Sequence, residues 1–459
     1  MKNNHYTLYT VLFLLISCSF VSTVFYQQKT NLSFGDQAGL ASVFSSTFSS
    51  LMSDVSAMAS PTPEQRTDQS ANVLDSEAAQ VVEPVQPKVV KKITMLAVGD
   101  IMMHQIQIDS AYDKTTDSYD LSEYFKNINS YLKSGDIVYA NLETPVAGKN
   151  LKYSGYPKFN APIEILSELR KNYFTHLSLS NNHALDRGAV GLSNTIQNVA
   201  DSGMIPLGVR EVGVASMGES TELDATNVAV NSSSSAINYQ ITEKNGIKVG
   251  FLAYTYDTNG MTLPKNKVGM ISYINKDQIV KDISDLKNQN VDVITVALHF
   301  GVEYSRVENA SQRSLAQLAC DNGADIILGD HPHVLQPIVY LNNSTNDKKC
   351  LVIYSLSNFI SGMPNLYTDL GGILKVDISK DDAIGGTPSS ISIQPEFFGT
   401  WVKRGTNKDG SKYFAVLPLD ADKIPEDIEV TKTEAGRLET YRKFLNDKIL
   451  PGMSGVIGL

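Results

Sequence analysis

The chain of 459 residues is long enough for one large domain with appendages or for two domains, and 42% of its residues are hydrophobic. Its formal net charge of −10 argues against nucleic acid as a main partner, because an acidic protein gains no affinity from counterion release. Its three cysteines are too few for a disulfide scaffold. Cys320 and Cys350 could pair outside the cytoplasm or lie in a core as free thiols, and the sequence leaves both alternatives open.

An uncharged segment runs from Tyr6 to Tyr26, which is about the length of a helix that crosses the ~30 Å hydrocarbon core of a bilayer. Because the apolar run continues through the only candidate cleavage site, we interpret residues 1–26 as an uncleaved membrane anchor rather than a cleaved signal. The alternative is a lipoprotein attached through Cys18, since residues 15–18 read LISC, although the residues after Cys18 stay apolar. Both interpretations place the body of the protein outside the cytoplasm, at the cell membrane.

Residues 27–92 are rich in Ser, Ala, Gln and Pro and show little apolar periodicity. Such a segment cannot bury enough surface to offset the entropy lost on ordering the chain. We therefore expect a disordered extracytoplasmic linker that holds the folded body away from the membrane.

A folded domain is predicted for residues 93–365. Short apolar runs that mostly end on polar residues predict buried strands; they include ITMLAVGD, DIVYANLE, FTHLSLSNNH, VDVITVALHFG and ADIILGDHPH. Amphipathic patterns between several of them, such as APIEILSELRKN and KDQIVKDISDLKNQN, predict helices. This alternation predicts an α/β domain. Residues 366–459 are expected to add antiparallel strands that complete the domain, followed by a terminal helix.

The histidines are the strongest functional signal. Five of the seven lie at or just beyond predicted strand ends, namely His104, His183, His299, His331 and His333. Equivalent positions hold Asp100, Glu143, Asn182 and Asp330. Ligands of open α/β sheets bind beyond the carboxyl ends of the strands. Burying this many polar groups costs several kcal/mol unless something satisfies them, so we expect divalent metal ions, possibly two.

The donor types indicate which metals. A mixture of imidazole, carboxylate and amide oxygen suits Mn, Fe or Zn better than Ca or Mg. Two ions ~3.5–4 Å apart share a ligand, and Glu143 in NLETP is placed to be that bridge. In GDHPH, His331 and His333 are two residues apart and would point to the same side of an extended segment. Asn182 offers an amide oxygen, and His183 beside it could protonate a leaving group.

The motifs containing Asp100 and Glu143, together with SNNHALDRG, LHFGVEYS, GDHPHVLQP and YSLSNF, resemble the poly-γ-glutamate capsule-synthesis family of the CapA and PgsA type. The resemblance covers about Ile93 to Gly362 with the motifs in order. This family belongs to the calcineurin-like metallophosphoesterase superfamily. The resemblance implies a four-layer α/β/β/α sandwich with the site at the sheet edge, and exposure outside the cytoplasm.

The resemblance also implies roles for individual residues. Asp100 and His333 would bind the first metal and Glu143 would bridge; the second metal would take Asn182, His299 and His331, with His183 as general acid. Two departures weaken the first metal site. The family pattern Asp-x-His has Met102 at its third position, with His104 two residues further on, and the bridging acid is Glu instead of Asp.

Further residues near these motifs have two interpretations each. Arg187 could clamp a phosphate or carboxylate as a second catalytic group, or it could pair with Asp186. Glu303 and Tyr304 could line a substrate groove or make plain loop contacts. Asn358 could hold a ligand imidazole in one tautomer.

Two functions compete. The first is a membrane-anchored component of capsule synthesis or export, whose partners would be an anionic polymer such as poly-γ-glutamate, the membrane, and synthetase or export subunits. The second is an active dinuclear phosphoesterase or hydrolase that acts on an envelope polymer or its precursor. The missing histidine after Asp100 favours the first, and the nearly complete ligand set favours the second.

Overall fold

The computed structural model describes residues 90–212, 239–381, 390–407 and 410–451. The predicted anchor at residues 1–26, Cys18 and the linker up to residue 89 lie outside the described residues. Within the described part of the chain, no helix is both long and apolar enough to cross a membrane. The first strand begins at Val90, whose backbone pairs with Asp381. Ending the linker at residue 92 was therefore wrong, since residues 90–92 already belong to the sheet.

One sheet contains strands from both ends of the described chain. Its strands are β1 (Val90–Ile101), β4 (Ile137–Leu142), β5 (His176–Ser178), β6 (Ile205–Leu207), β13 (Asn358–Ile360), β14 (Leu370–Asp381), β15 (Ser390–Thr406) and β16 (Lys412–Pro418). The order is β16-β15-β14-β1-β4-β5-β6, and β13 pairs with the end of β1. Strands β1, β4, β5 and β6 are parallel, whereas β14, β15 and β16 extend the sheet in antiparallel fashion.

The strands of the second sheet are β7 (Tyr239–Lys244), β8 (Ile247–Thr255), β9 (Val293–His299), β10 (Ile326–Asp330), β11 (Leu335–Asn342) and β12 (Lys349–Leu356). Their order in the sheet is β11-β12-β10-β9-β8-β7. The four central strands are parallel, and the two edge strands are antiparallel to their neighbours. A separate short hairpin pairs β2 (Tyr112–Asp113) with β3 (Ser118–Tyr119).

The described α-helices pack against the two sheets. They are α1 (Gln105–Ala111), α2 (Asn129–Leu132), α3 (Glu164–Lys171), α4 (Gly188–Asp201), α5 (Lys276–Asn288), α6 (Ala310–Asn322) and α7 (Lys432–Phe444), which continues as a π-helical turn at Leu445–Ile449. Local sequence defines several ends. Asn309 and Gln312 form a capping box that begins α6, and Gly323 ends it in the left-handed conformation, which glycine adopts without strain.

Strand alternation divides the buried side chains into layers. On β1, Met95 and Ala97 face a core shared by both sheets, whereas Leu96 and Val98 face the core beneath α1 to α4. The outer face of the second sheet packs against α5 and α6. Helix α7 contributes Tyr441 to the core between the sheets. The layers therefore follow the order helix, sheet, sheet, helix, and the predicted mixed α/β class is confirmed.

The two cysteines of the folded region are joined. Cys320 on α6 and Cys350 on β12 form a disulfide, with their Cα atoms 5.8 Å apart. Of the two alternatives that the sequence left open, the structure therefore shows the pair rather than two free thiols.

Candidate metal centre

The carboxyl ends of parallel strands from both sheets meet at one edge of the sandwich. Asp100 lies near the end of β1, and Glu143 follows β4 directly. His299 is the last residue of β9, and Asp330 is the last residue of β10. All four are buried, so this edge holds acids and an imidazole that are shielded from water.

Two overlapping groups of donors form there. Glu143, His299 and His331 offer ligand atoms within 4.8 Å of one another, and so do Asp100, Glu143 and His333. Glu143 belongs to both groups, because its Oε1 lies 3.6 Å from His299 Nε2 and 3.9 Å from His333 Nε2. This is the arrangement that two neighbouring metal ions with a shared carboxylate require.

The ionised form of the Glu143 carboxyl group is destabilised in the absence of a cation. Burial raises its pKa well above the usual range, and the nearby charges of Asp100 and Asp330 raise it further. Its Oε1 is buried without a hydrogen-bond partner among the described residues. A buried carboxylate oxygen without a partner costs on the order of a few kcal/mol, and a metal ion would satisfy it.

His299 and His331 are held in the neutral form that a metal needs. Burial lowers the pKa of His331 to about 4 and that of His299 well below 6.5, and neighbouring histidines add to both effects. His331 Nδ1 is buried and has no hydrogen-bond partner in the described part of the chain. The residues present therefore fit one or two divalent cations, and the imidazole and carboxylate donors suit borderline metals.

The GDHPH segment reaches the cluster in an unexpected conformation. His331 and His333 have φ angles of 102° and 59°, so neither residue is extended. The argument that an extended segment places both rings on one side was wrong. The turn nevertheless brings both rings to the cluster, with their centroids 6.0 Å apart. Positive φ at residues other than glycine is uncommon and is concentrated at functional sites, which agrees with a constrained loop.

Amides orient the cluster. Asn182 Oδ1 lies 3.0 Å from His299 Nε2, so it is placed beside the second donor group. Asn141 Nδ2 donates to Asp100 Oδ1 at 2.8 Å and lies 3.3 Å from Glu143 Oε2. Asn181 Nδ2 in turn donates to Asn141 Oδ1 at 3.2 Å. The sequence analysis missed Asn141 and Asn181, although Asn141 stands in the NLE motif two residues before Glu143.

His183 has an acidic partner of its own. Its Nδ1 lies 2.8 Å from Asp186 Oδ2, which also accepts a hydrogen bond from the Phe159 backbone at 2.7 Å. The Phe159 ring packs edge-on against the imidazole, with the ring centroids 4.7 Å apart. An imidazole fixed through Nδ1 presents Nε2 as its reactive nitrogen, as in other carboxylate-oriented histidines.

Two other predicted residues are engaged elsewhere. The Arg187 guanidinium donates to the Ser154 hydroxyl and to the Lys158 carbonyl. Arg187 therefore holds the loop before α3 in place rather than pairing with Asp186, and its role toward a substrate stays a prediction.

His104 begins α1, and its Nδ1 accepts a hydrogen bond from the Gly362 backbone at 3.1 Å. It does not belong to either donor group, and Met102 is buried.

Further side chains contact or lie near the histidines and the acids of the cluster. Asn358 Oδ1 and Asp100 Oδ2 each lie 3.0 Å from His333 Nδ1. Tyr256, which the sequence analysis missed, packs on His331 with ring centroids 4.7 Å apart. Tyr304 lies 6.1 Å from His333 by ring centroids and is half exposed, and Glu303 beside it is exposed. Asp330 accepts from the Tyr139 hydroxyl at 2.9 Å.

The fold and the site define an α/β protein with a buried cluster of acids and histidines that could hold metal ions. Residues 94–363 match the family model described as bacterial capsule synthesis protein PGA_cap. This chain therefore belongs to the bacterial capsule synthesis PGA_cap family, and the resemblance recognised from its motifs is confirmed.

Curated relatives agree with the family assignment. The chain is 33% identical over 290 residues to the capsule biosynthesis protein CapA of Bacillus anthracis, covering 61% of this chain and 62% of the relative. It is 29% identical over 266 residues to the PGA biosynthesis protein CapA of Bacillus subtilis, covering 57% and 62%. The chain therefore spans less than two thirds of the length of either relative.

Solved structures show a more distant likeness. The calcineurin-like phosphoesterase YfkN from Bacillus subtilis aligns with a TM-score of 0.38 and 15% identity, covering 77% of this chain and 98% of that one. The NAD nucleotidase of Haemophilus influenzae aligns with a TM-score of 0.39 and 13% identity, covering 79% and 64%. Scores this low establish neither the fold nor the activity of this chain.

Proposed function

We propose that this chain is a membrane-anchored, extracytoplasmic and metal-dependent component of the synthesis or export of poly-γ-glutamate or a similar anionic envelope polymer. The observation that supports a metal-dependent role best is the position of Glu143. Its carboxylate is buried, has one oxygen without a hydrogen-bond partner in the described part of the chain, and contacts histidines of both donor groups.

Two divalent ions, of Mn, Fe or Zn, would be held by the residues already described. Asp100 and His333 would bind the first ion, and His299, His331 and Asn182 the second, with Glu143 between them. Bound metal ions supply positive charge and Lewis acidity toward an oxyanion. The residues of the chain keep the site dry, and Asp100 and Asn358 hold the His333 imidazole in a fixed orientation.

A location outside the cytoplasm is supported by two features. The Cys320–Cys350 disulfide is typical of proteins that mature in an oxidising compartment. The uncharged segment from Tyr6 to Tyr26 has the composition of a membrane anchor. A membrane position would bring the folded body near synthetase or export subunits and the emerging polymer, which we propose as partners.

The second candidate is an active phosphoesterase or hydrolase built on a metallophosphoesterase-like fold. The pair formed by His183 and Asp186 favours it, because an oriented and buried imidazole beside a metal site is what a general acid requires. Its substrate would be an envelope polymer or a precursor of one.

Chromosomal replacements in the host separate the two candidates. Glu143→Gln should abolish capsular polymer under both, because both need the metal cluster. His183→Ala should leave polymer production intact if the protein is not a catalyst, and should abolish it if the protein is an enzyme. Glu439→Gln on the exposed face of α7 is the matched control. Normal polymer in a Glu143→Gln strain that contains normal amounts of the protein would contradict the proposal.

A further inference from the structure

A second polar cavity lies apart from the metal cluster. It has a volume of about 400 Å³ and is lined by the end of β15, the start of β16 and the beginning of α7. Three cationic side chains face it, namely Lys403, Arg404 and Arg437. Glu429 and Glu434 line the same cavity, so the state of each cation decides what the cavity can bind.

Two of the three cations already have acidic partners. The Lys403 ammonium donates to both carboxylate oxygens of Glu434 at 2.7 Å and to the Glu429 carbonyl at 2.9 Å. Arg437 pairs with Asp369 through Nη1 at 3.2 Å. Its Nε is nevertheless buried and has no acceptor among the described residues. Arg437 therefore keeps one buried donor without an acceptor beside the cavity.

Arg404 is the cation without a partner. In the described ranges, its guanidinium makes no hydrogen bond or ion pair, and its defined contact is with the Phe414 ring, 6.0 Å from the centroid. The side chain is half-buried, and burial lowers its pKa, whereas the nearby Asp369 carboxylate raises it and the smaller effect of the Arg437 charge lowers it. The half-buried Arg404 guanidinium therefore keeps hydrogen-bond donors that an oxyanion ligand could accept.

We propose that Arg404 and Arg437 form an oxyanion-binding subsite, and that its ligand is a carboxylate of the anionic polymer. Planar guanidinium groups bind carboxylates through two parallel hydrogen bonds, which a lysine cannot do. The Thr406 and Thr433 hydroxyls at the same cavity add neutral donors for the ligand's other oxygens. The choice of polymer rests on the proposed function, whereas the oxyanion chemistry does not.

The subsite is connected to the metal centre by a short path. Arg437 contacts Asp369, and the preceding residue, Thr368, accepts a hydrogen bond from Asn358 at 2.9 Å. Asn358 in turn contacts His333. Both Arg404 and His333 act electrostatically on His104, so His104 lies near both. A polymer with a carboxylate on every unit could therefore occupy the subsite with one unit while another unit lies at the metal cluster.

Calorimetric titration of the full chain tests this subsite. The probes are a γ-linked glutamate tetramer and, separately, inorganic phosphate, at one fixed ionic strength. Arg404→Gln should weaken tetramer binding about tenfold to a hundredfold, as expected for the loss of charge-assisted hydrogen bonds. Arg404→Lys should recover part of the affinity, and Arg313→Gln on α6, which removes the same charge outside the cavity, should change it less than about twofold. Metal content should be equal in all four proteins.

The outcomes separate this inference from the proposed function. Tetramer affinity that is the same in wild type and Arg404→Gln, or that falls equally in Arg313→Gln, overturns the subsite and leaves the proposed function intact. Binding of phosphate alone, with a dependence on Arg404, keeps the oxyanion subsite and removes the polymer as its ligand. Binding of neither probe overturns the inference. If Arg404→Gln does not fold, the weaker binding expected of Arg404→Lys decides the same question.

Discussion

Replacing Glu143 by Gln changes one oxygen for a nitrogen and keeps the shape of the side chain, so its effects report on the loss of the charge and of one ligand oxygen. In metal-loaded protein, the change removes the shared ligand of both donor groups, and we expect metal content and melting temperature to fall. In metal-free protein, the same change removes a buried carboxylate that faces Asp100 and Asp330, and we expect stability to rise or stay equal. The two states should therefore respond with opposite signs.

The magnitudes follow from the environment of Glu143. A ligand present at a hundred times its dissociation constant stabilises the native state by about 2.7 kcal/mol, and most of this should be lost. In the metal-free protein, the raised pKa of Glu143 favours its protonated form. The contribution of Glu143 to stability is then fully present below its ordinary pKa of 4.5. This contribution is lost as pH rises toward the raised pKa of the folded state. Glu143→Gln should remove this loss, because an amide does not ionise.

The assay is urea unfolding of wild type and Glu143→Gln at pH 5 and pH 7, with metal added and with metal removed by a chelator. Metal content is measured on the same samples, and Glu439→Gln should stay within about 0.5 kcal/mol of wild type throughout. Equal metal content in both proteins, or destabilisation of the metal-free variant by more than about 2 kcal/mol, would refute the assignment of Glu143 as a metal-bridging carboxylate.

Three further predictions concern histidines. His331→Ala should lower metal content and melting temperature, whereas His183→Ala should leave both nearly unchanged and lower any turnover ~10²–10⁴-fold; equal metal loss in both would disprove this division of roles. Because burial lowers the pKa of His331 to about 4, bound metal should be retained well below pH 6.5, and release centred at 6.5 in a metal titration would disagree. Burial lowers the pKa of His176 from 6.5 to about 3. The contribution of His176 to stability is therefore full above pH 6.5. It decreases by up to about 1.4 kcal/mol per pH unit as pH falls toward 3. His176→Gln should show a correspondingly shallower acid loss in denaturant unfolding between pH 6.5 and 4.

The architecture could be predicted because its signals are local. Apolar runs that end on polar residues predicted β1, β4, β9 and β10, and capping residues such as Asn309 mark where helices begin. Edge strands such as β11 were missed, since half-exposed strands have a weaker apolar pattern. The chain position of Cys320 and Cys350 could not decide between a disulfide and free thiols, because the distance between them depends on how α6 packs on β12.

The candidate site was only partly readable from the sequence for a similar reason. The strand ends identified Asp100, Glu143 and His299, because parallel strands place their carboxyl ends at one edge. The left-handed conformations of His331 and His333 could not be read from GDHPH, since neither residue is glycine. The contacts of Tyr256 with the cluster arise from a loop after β8, and no local motif marks that approach.

The central claim is that two divalent metal ions lie side by side at the edge of the sandwich and share Glu143. Anomalous X-ray diffraction from crystals of the protein grown with Mn²⁺ tests it most directly. Two anomalous peaks ~3.5–4 Å apart are expected, one beside Asp100 and His333, the other beside His299 and His331, with Glu143 contacting both. No anomalous peak at this cluster, in crystals whose solution contains Mn²⁺ in large excess, would contradict the account.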